Sequence, residues 1–222
     1  MYRLLVALPS PRDIQKVKEH IDALDVDRLW VKYLSAVKAY KKIRDYFLEE
    51  DYDYLIVCPD DLVVLPKHLY LMRQTIKKYG HEVICGMCNV DQSKRFKGFV
   101  NVSLELPTTE NLTADSYKWL PVDFFDGKLV QVKFAGFPFM AIRRDIVEMI
   151  PFRDFQGVCF DLMFCTDLDR AEIPIYVNPE INMEHLKIAD SEYDGIQVGH
   201  KKPVIYLQKR KMTDNSSNGT LR

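Results

Sequence analysis

The sequence predicts an α/β protein built on a mainly parallel central sheet flanked by helices, with a smaller antiparallel part. Three observations carry this. Apolar runs without alternation sit at 3–8 (RLLVAL), 54–58 (YLIVC) and 82–85 (EVIC), as in strands covered on both faces. Segments of helical period separate them. Turn residues punctuate the boundaries: PSPRD after the first run, Pro59 after the second, Gly80 before the third. Strand, helix, strand, helix, strand is the order of a parallel sheet with crossover helices.

The first strand is read over 3–8. From 27 to 50, Trp30, Tyr33, Leu34, Val37, Tyr40 and Phe47 follow helical spacing, with Lys32, Lys38, Lys42 and Asp45 mostly on the other face. The second strand, 54–58, ends at Pro59. Pro66 suits the first turn of a helix carrying Leu69, Met72, Ile76 and Tyr79, stopped at Gly80. A strand at 82–85 follows. Residues 89–99 read as a polar loop, and 100–106 and 128–134 alternate as antiparallel strands on either side of a long loop. A short helix is expected at 144–150, a longer one at 159–171, and a final strand at 174–177.

The chain reads as one domain over 1–207, with a polar, disordered tail at 208–222 (QKRKMTDNSSNGTLR). A formal net charge of -1 argues against a nucleic-acid partner. No apolar run could cross a bilayer and no signal-peptide pattern opens the sequence, so a cytoplasmic location is expected. Five cysteines, four of them in core segments, suit reduced thiols. Cys85 and Cys88 form a C-x-x-C pair, but Cys159 and Cys165 lack the spacing of a second zinc pair. N-x-S/T sequons begin at Asn101, Asn111, Asn215 and Asn218, and are read as chance.

Asp60 and Asp61 stand at the carboxyl end of a buried strand, where repulsion and desolvation are both unfavourable. A positive partner is expected: a metal ion, a cationic side chain, or water. In a parallel sheet ligands bind beyond the carboxyl ends of the strands, so Pro9, Ser10, Asp60 and Asp61 should face one crevice.

Three segments, in order, resemble the GT-A fold glycosyltransferases of the family 2 type. LIVCPDDLVV is similar to the strand leading into that fold's Asp-any-Asp motif, with Pro59 where the first Asp is usual. FAGFPFMAIRRDIVEMI is similar to its Gly-aromatic segment followed by a strand and an Arg-bearing helix. FDLMFCTDLDRAEIPIYVNPEINMEH resembles the acidic residue opening a helix, a short strand and a late histidine, with Glu172-Ile173 where a glycine often precedes the strand. The resemblance covers most of residues 1–186.

It implies a metal-dependent, inverting transfer of a sugar from a nucleotide-sugar donor, such as a UDP- or GDP-sugar, to a glycan, protein or lipid-linked acceptor. Asp61, Asp60 and His185 would hold Mn2+ or Mg2+, a Lewis acid for the departing diphosphate. Asp161 would be the catalytic base. Pro9 and Ser10 would approach the nucleotide, Asp60 the metal or the donor ribose. Gly136 and Phe137 would line the donor sugar, Phe137 stacking on its apolar face, and Trp119 could serve as an acceptor-side platform. The antiparallel part would then lie on the acceptor side. The basic, apolar segment HKKPVIYLQKRK could touch an anionic membrane. Two other classes stay open: a nucleotidyltransferase, against which the glycine-free PSPRD loop counts, and a non-catalytic nucleotide or carbohydrate binding module, which would need no base at Asp161.

Overall fold

The computed structural model describes residues 2–12, 14–90, 97–107, 113, 116–153, 160–186 and 201–210. Its first strand, β1 (Leu4–Ser10), is buried along its whole length. It pairs in parallel with β2 (Asp27–Lys32) on one side and β3 (Tyr54–Val57) on the other. Further along the sheet, β5 (Val83–Cys88) and β12 (Ile175–His185) are also mutually parallel. Between β3 and β5 lies β11 (Met140–Arg143), antiparallel to both. The strands β2, β1, β3, β5 and β12 therefore share one direction, and a strand from the second half of the chain is inserted among those of the first.

Both faces of the sheet are covered, which explains apolar strands without alternation. Leu5, Ala7, Leu29, Val31, Leu55 and Val57 point into one core. They meet Tyr40, Ile43 and Phe47 of α2 (Ala36–Glu49), Ile146 and Val147 of α4 (Arg144–Met149), and Leu162, Phe164 and Leu168 of α5 (Phe160–Arg170). Leu4, Val6, Leu8, Tyr54 and Ile56 point the other way, onto Val17 and Ile21 of α1 (Gln15–Asp22) and Leu69, Met72 and Ile76 of α3 (Pro66–Tyr79).

The smaller antiparallel part is made of short pieces. β6 (Phe99–Val100) pairs with β8 (Leu120–Pro121), and β7 (Val102–Ser103) with β10 (Phe134–Ala135). β9 (Val130–Val132) adds to β12, and β4 (Leu62–Val63) pairs with that strand's last residues. Residues 108–112, 114 and 115 of the long loop expected before Pro121, and residues 91–96, lie outside the described residues.

Three expectations are corrected. Residues 27–32 form β2, not the start of a helix. Trp30, Tyr33 and Leu34 match the helical spacing by coincidence, and the helix begins only at Ala36, after Ser35. The helix α1 was not expected, because QKVKEHID buries only Val17 and Ile21. The strand at 174–177 is neither short nor final. β12 runs to His185, and β13 (Val204–Gln208) closes the opposite edge by pairing antiparallel with β2.

The basic, apolar segment near the C-terminus thus supplies an edge strand, Tyr206 stacking on Trp30 with ring centroids 6.3 Å apart. Lys209 and Arg210 continue as described residues, the backbone N–H of Arg210 donating to Asp27 Oδ1 at 2.8 Å. The disordered tail expected from 208 falls, from 211 to 222, outside the described residues. No helix among the described residues is long and apolar enough to cross a membrane.

Candidate active site

The carboxylate pair has its positive partner, and it is a side chain. Arg12, in the PSPRD loop after β1, reaches Asp60 three times: its backbone N–H donates to Oδ2 at 3.0 Å, Nε to Oδ1 at 3.0 Å, and Nη2 to Oδ1 at 2.5 Å. The same Nη2 lies 2.9 Å from Asp61 Oδ2. Asp61 Oδ2 also meets His185 Nε2 at 3.1 Å. The other ring nitrogen of His185 faces the Asn89 carbonyl oxygen at 3.1 Å. Both ring nitrogens thus face oxygen atoms.

Burial sets the electrostatics. It would raise Asp61, but the hydrogen bond and charge of His185, and then Arg12, outweigh it and hold that carboxyl at about 2. Burial pushes Asp60 up, against three hydrogen bonds from Arg12 and with the charge of Asp61. The side chains are nearly sealed, 4% exposed at Asp60, 14% at Asp61 and 15% at Arg12. At such depth removing one partner of an ion pair strands the other.

The cation expected here meets a filled position. A dication bound to Asp61 Oδ2 would sit against the Arg12 guanidinium on the same oxygen, and like charges at such separations repel strongly. Among the described residues no three His, Cys, Asp or Glu side chains gather as a metal-binding group. As arranged, these residues do not fit a bound divalent cation. Among the described residues the C-x-x-C pair joins no metal-binding group: Cys85 and Cys88 are buried and in no disulfide, like Cys58 and Cys165, while Cys159 lies outside the described residues.

β12 delivers His185 to this place. Its pairing with β5 shifts register between Val177 and Asn182, and Gly86 makes the shift possible. A Cβ on Gly86 would lie 2.4 Å from the Ile181 carbonyl oxygen and 2.6 Å from its Cγ2. Bulges of this kind re-aim the side chains that follow. Beyond it Met183 aligns with Cys88, and Glu184 and His185 pair with β4, next to Asp61. The Leu186 N–H then donates to the Asp61 carbonyl oxygen at 2.9 Å.

Asp161 joins the same end of the sheet through Asn101. Asn101 Oδ1 accepts the N–H of Cys88 at 3.1 Å, and Cys88 Sγ lies 3.8 Å from His185 Nδ1. The Asn101 carbonyl oxygen accepts the Gly136 N–H at 3.1 Å. A Cβ on Gly136 would meet Asn101 Nδ2 at 3.3 Å and Asp161 Oδ2 at 3.6 Å, so the absence of a side chain there leaves room before the carboxylate. Asp161 sits in the first turn of α5, its Oδ1 accepting the Leu162 N–H at 2.8 Å. Asp167 and Asp169 face elsewhere, onto Arg153 and Lys133, as ordinary structural carboxylates do.

Phe137 does not offer a ring to a sugar. It is 1% exposed, packed among Tyr40, Phe152, Phe160 and Phe164 with centroids 5.3–6.0 Å apart. Its backbone is unusual: Phe137 and Phe139 both adopt positive φ, at 54° and 53°, a conformation few non-glycine residues tolerate. Trp119 stacks on Tyr117 at 4.4 Å and leans edge-on against Phe134. Pro9 and Ser10 end β1 beside Val31 and Lys32 of β2. Ser10 Oγ is buried with no hydrogen-bond partner among the described residues, an orphan of the kind a ligand satisfies.

Sequence reasoning missed Arg12, although it is the one arginine in the loop that leaves β1 for the acidic crevice. It also missed Tyr33, because β2 was hidden in a helical pattern. Tyr33 follows the carboxyl end of β2 with φ 63°, and Lys201 Nζ lies 5.0 Å from the centre of its ring. Strained residues at such places are a pointer to function that only coordinates give.

No protein-family profile and no curated protein matches the sequence. Among solved structures, the chain is similar to A197 from STIV, with a TM-score of 0.56 and 19% identity over 80% of this chain and 82% of that one. It is also similar to S. aureus TarS 1-349 in complex with UDP-GlcNAc, with a TM-score of 0.50 and 10% identity over 84% of this chain. It spans 59% of the length of that TarS chain. At these identities the likeness is one of fold: a mixed α/β, GT-A (Rossmann-like) architecture.

Proposed function

We propose that this protein is an inverting glycosyltransferase that moves a sugar from a nucleoside-diphosphate donor to an acceptor hydroxyl on a glycan, protein or lipid-linked molecule. The observation that carries the reading is the convergence of Asp61, His185 and Asp161 at the carboxyl end of one parallel sheet. They come from three segments far apart in sequence, and Gly136 clears the space before Asp161. The UDP-GlcNAc complex of a protein of similar fold favours a UDP-sugar as donor.

In this reading the nucleotide lies across the ends of β1 and β2, where the orphaned Ser10 Oγ supports a polar contact to the ribose. Asp161 is the base. Its Oδ1 is held by the Leu162 N–H, which orients the carboxylate. Oδ2, on the Gly136 side, takes the acceptor proton as the acceptor oxygen attacks the anomeric carbon. The bond to the diphosphate oxygen breaks with its electron pair, and the configuration at the anomeric carbon inverts.

The test is donor turnover. Incubation with a panel of UDP- and GDP-sugars should release the nucleotide from one of them, slowly with water as acceptor. A positioned carboxylate typically contributes on the order of a hundredfold to ten-thousandfold to such proton transfer, and Asp161→Asn should lose about that factor with donor affinity little changed. Unaltered turnover would remove Asp161 from the mechanism. A pure binding module would hold the nucleotide and release nothing.

A further inference from the structure

We propose that the Arg12 guanidinium is the resident cation of this crevice, occupying the place a divalent metal would take between Asp60 and Asp61, so that the nucleotide diphosphate binds without a metal ion. The inference rests on the functional reading above for its ligand, but the cation part stands on geometry alone.

Two neighbouring carboxylates at the end of a buried strand require positive charge. A hydrated dication and a guanidinium are alternative ways to supply it, and they differ in what holds them. A metal is held by ligands spread round a point. A guanidinium is planar and is held by carboxylate oxygens in its own plane, as a fork. A guanidinium is the cation present. Nε and Nη2 of Arg12 both donate to Asp60 Oδ1, and Nη2 extends to Asp61 Oδ2. The Arg12 backbone N–H donates to the remaining oxygen of Asp60, which ties the loop after β1 to the pair. Asp60 is thereby committed to Arg12 through both its oxygens. Asp61 shares its Oδ2 between Arg12 and His185, and the cluster holds two acids and two bases. A dication added to it would have to displace Arg12 from these oxygens.

The consequence concerns the leaving group. Glycosyl transfer releases a diphosphate whose developing charge must be stabilised. A fixed guanidinium, oriented by Asp60 and Asp61 and lying beside the His185 ring, supplies that charge without reorganisation.

Three measurements test this. Titration of the full-length protein with MnCl2 alone, followed by calorimetry and by the EPR signal of free Mn2+, should show no binding below the millimolar range. Micromolar binding would overturn the proposal. Titration with UDP and with GDP, in EDTA and in Mn2+, should give affinities equal within about twofold, whereas a tenfold or larger dependence on Mn2+ overturns it. If neither nucleotide binds under any condition, the functional reading fails while the MnCl2 titration still judges the cation. Arg12→Ala should do the reverse of wild type. With the guanidinium gone, Asp60, Asp61 and His185 should acquire Mn2+ binding, read as a rise in the thermal midpoint of the variant that wild type does not show. A variant that folds and ignores Mn2+ contradicts the proposal. Should Arg12→Ala not fold, the two wild-type titrations decide.

Discussion

Glu172 stands at the C-terminus of α5 with φ 57°, where helices commonly place a glycine. Its N–H donates to the Asp169 carbonyl oxygen at 3.1 Å, and Ile173 N–H closes onto Leu168 at 2.9 Å, so the left-handed residue is built into the helix stop. The sequence already showed a departure there, Glu172 for an expected glycine, but not that the backbone had kept the glycine's conformation. A non-glycine residue in that region costs about 1–2 kcal/mol. Glu172→Gly should therefore stabilise the fold by about 1 kcal/mol, read as a higher urea midpoint with an unchanged slope. A second residue-scale prediction concerns pH. His68 Nδ1 accepts the Leu65 N–H at 3.1 Å at the start of α3, and burial, with the charge of Lys67 adding, lowers its pKa to about 4. Between about 6.5 and 4 the unfolded chain takes up a proton that the folded one refuses, so stability falls with acid through that window and levels off below it. His68→Asn, which can still accept the cap bond, should flatten this limb when urea midpoints are compared at pH 7, 5 and 4. Of the site residues, Asp60 and Asp61 were legible because two charges after a buried strand need an explanation. Their partner Arg12 was not, since nothing in sequence spacing links positions 48 residues apart.

At the scale of elements, the strands buried on both faces were legible wherever they ended in Pro or Gly. β2 was not, because a short run such as LWV looks the same inside a helix as inside a parallel strand. β11 could be read as a strand but not placed, since its position between β3 and β5 is a matter of topology. The helices α2 and α4 show how strongly the elements specify one another. Arg144 donates to the carbonyl oxygens of Phe47, Leu48 and Glu50 at the end of α2, and Arg44 of α2 donates to those of Val147 and Glu148 at the end of α4. Each helix satisfies the other's orphan carbonyls. The register shift of β12 carries the sharper prediction. Gly86→Ala would press a methyl into the Ile181 backbone, and overpacking typically costs about 1–3 kcal/mol. Because backbone rather than a flexible side chain must give way, the cost should lie at the upper end. Movement of β12 would also draw His185 from Asp61, so the His185 ring resonances should shift in an NMR spectrum even where the variant stays folded.

For the whole molecule, the fold class was readable from alternating strands and helices. The edges were not. β13 was hidden in a basic, apolar segment that looked like surface, and only the structure pairs it with β2 in five register positions from Val204 to Gln208. At about 0.2–1 kcal/mol for each cross-strand pair, it stabilises the fold by a few kcal/mol. A chain ending at Pro203 should accordingly unfold at lower urea. It should also associate through the bared edge of β2, visible as larger species in light scattering that rise with concentration.

That edge has a history in time as well as in space. Residue 32 and its partner 204 are 172 positions apart, so during synthesis at about 5–20 residues per second β2 emerges roughly 10–30 s before the strand that covers it. Throughout that interval Leu29, Trp30 and Val31 belong to an open ladder, and the nascent chain is most exposed to wrong partners while its first crossover units are already complete. The last pairing of the sheet is also the one with the longest loop to close, which makes the arrival of residues 204–208 a late event in refolding from denaturant too.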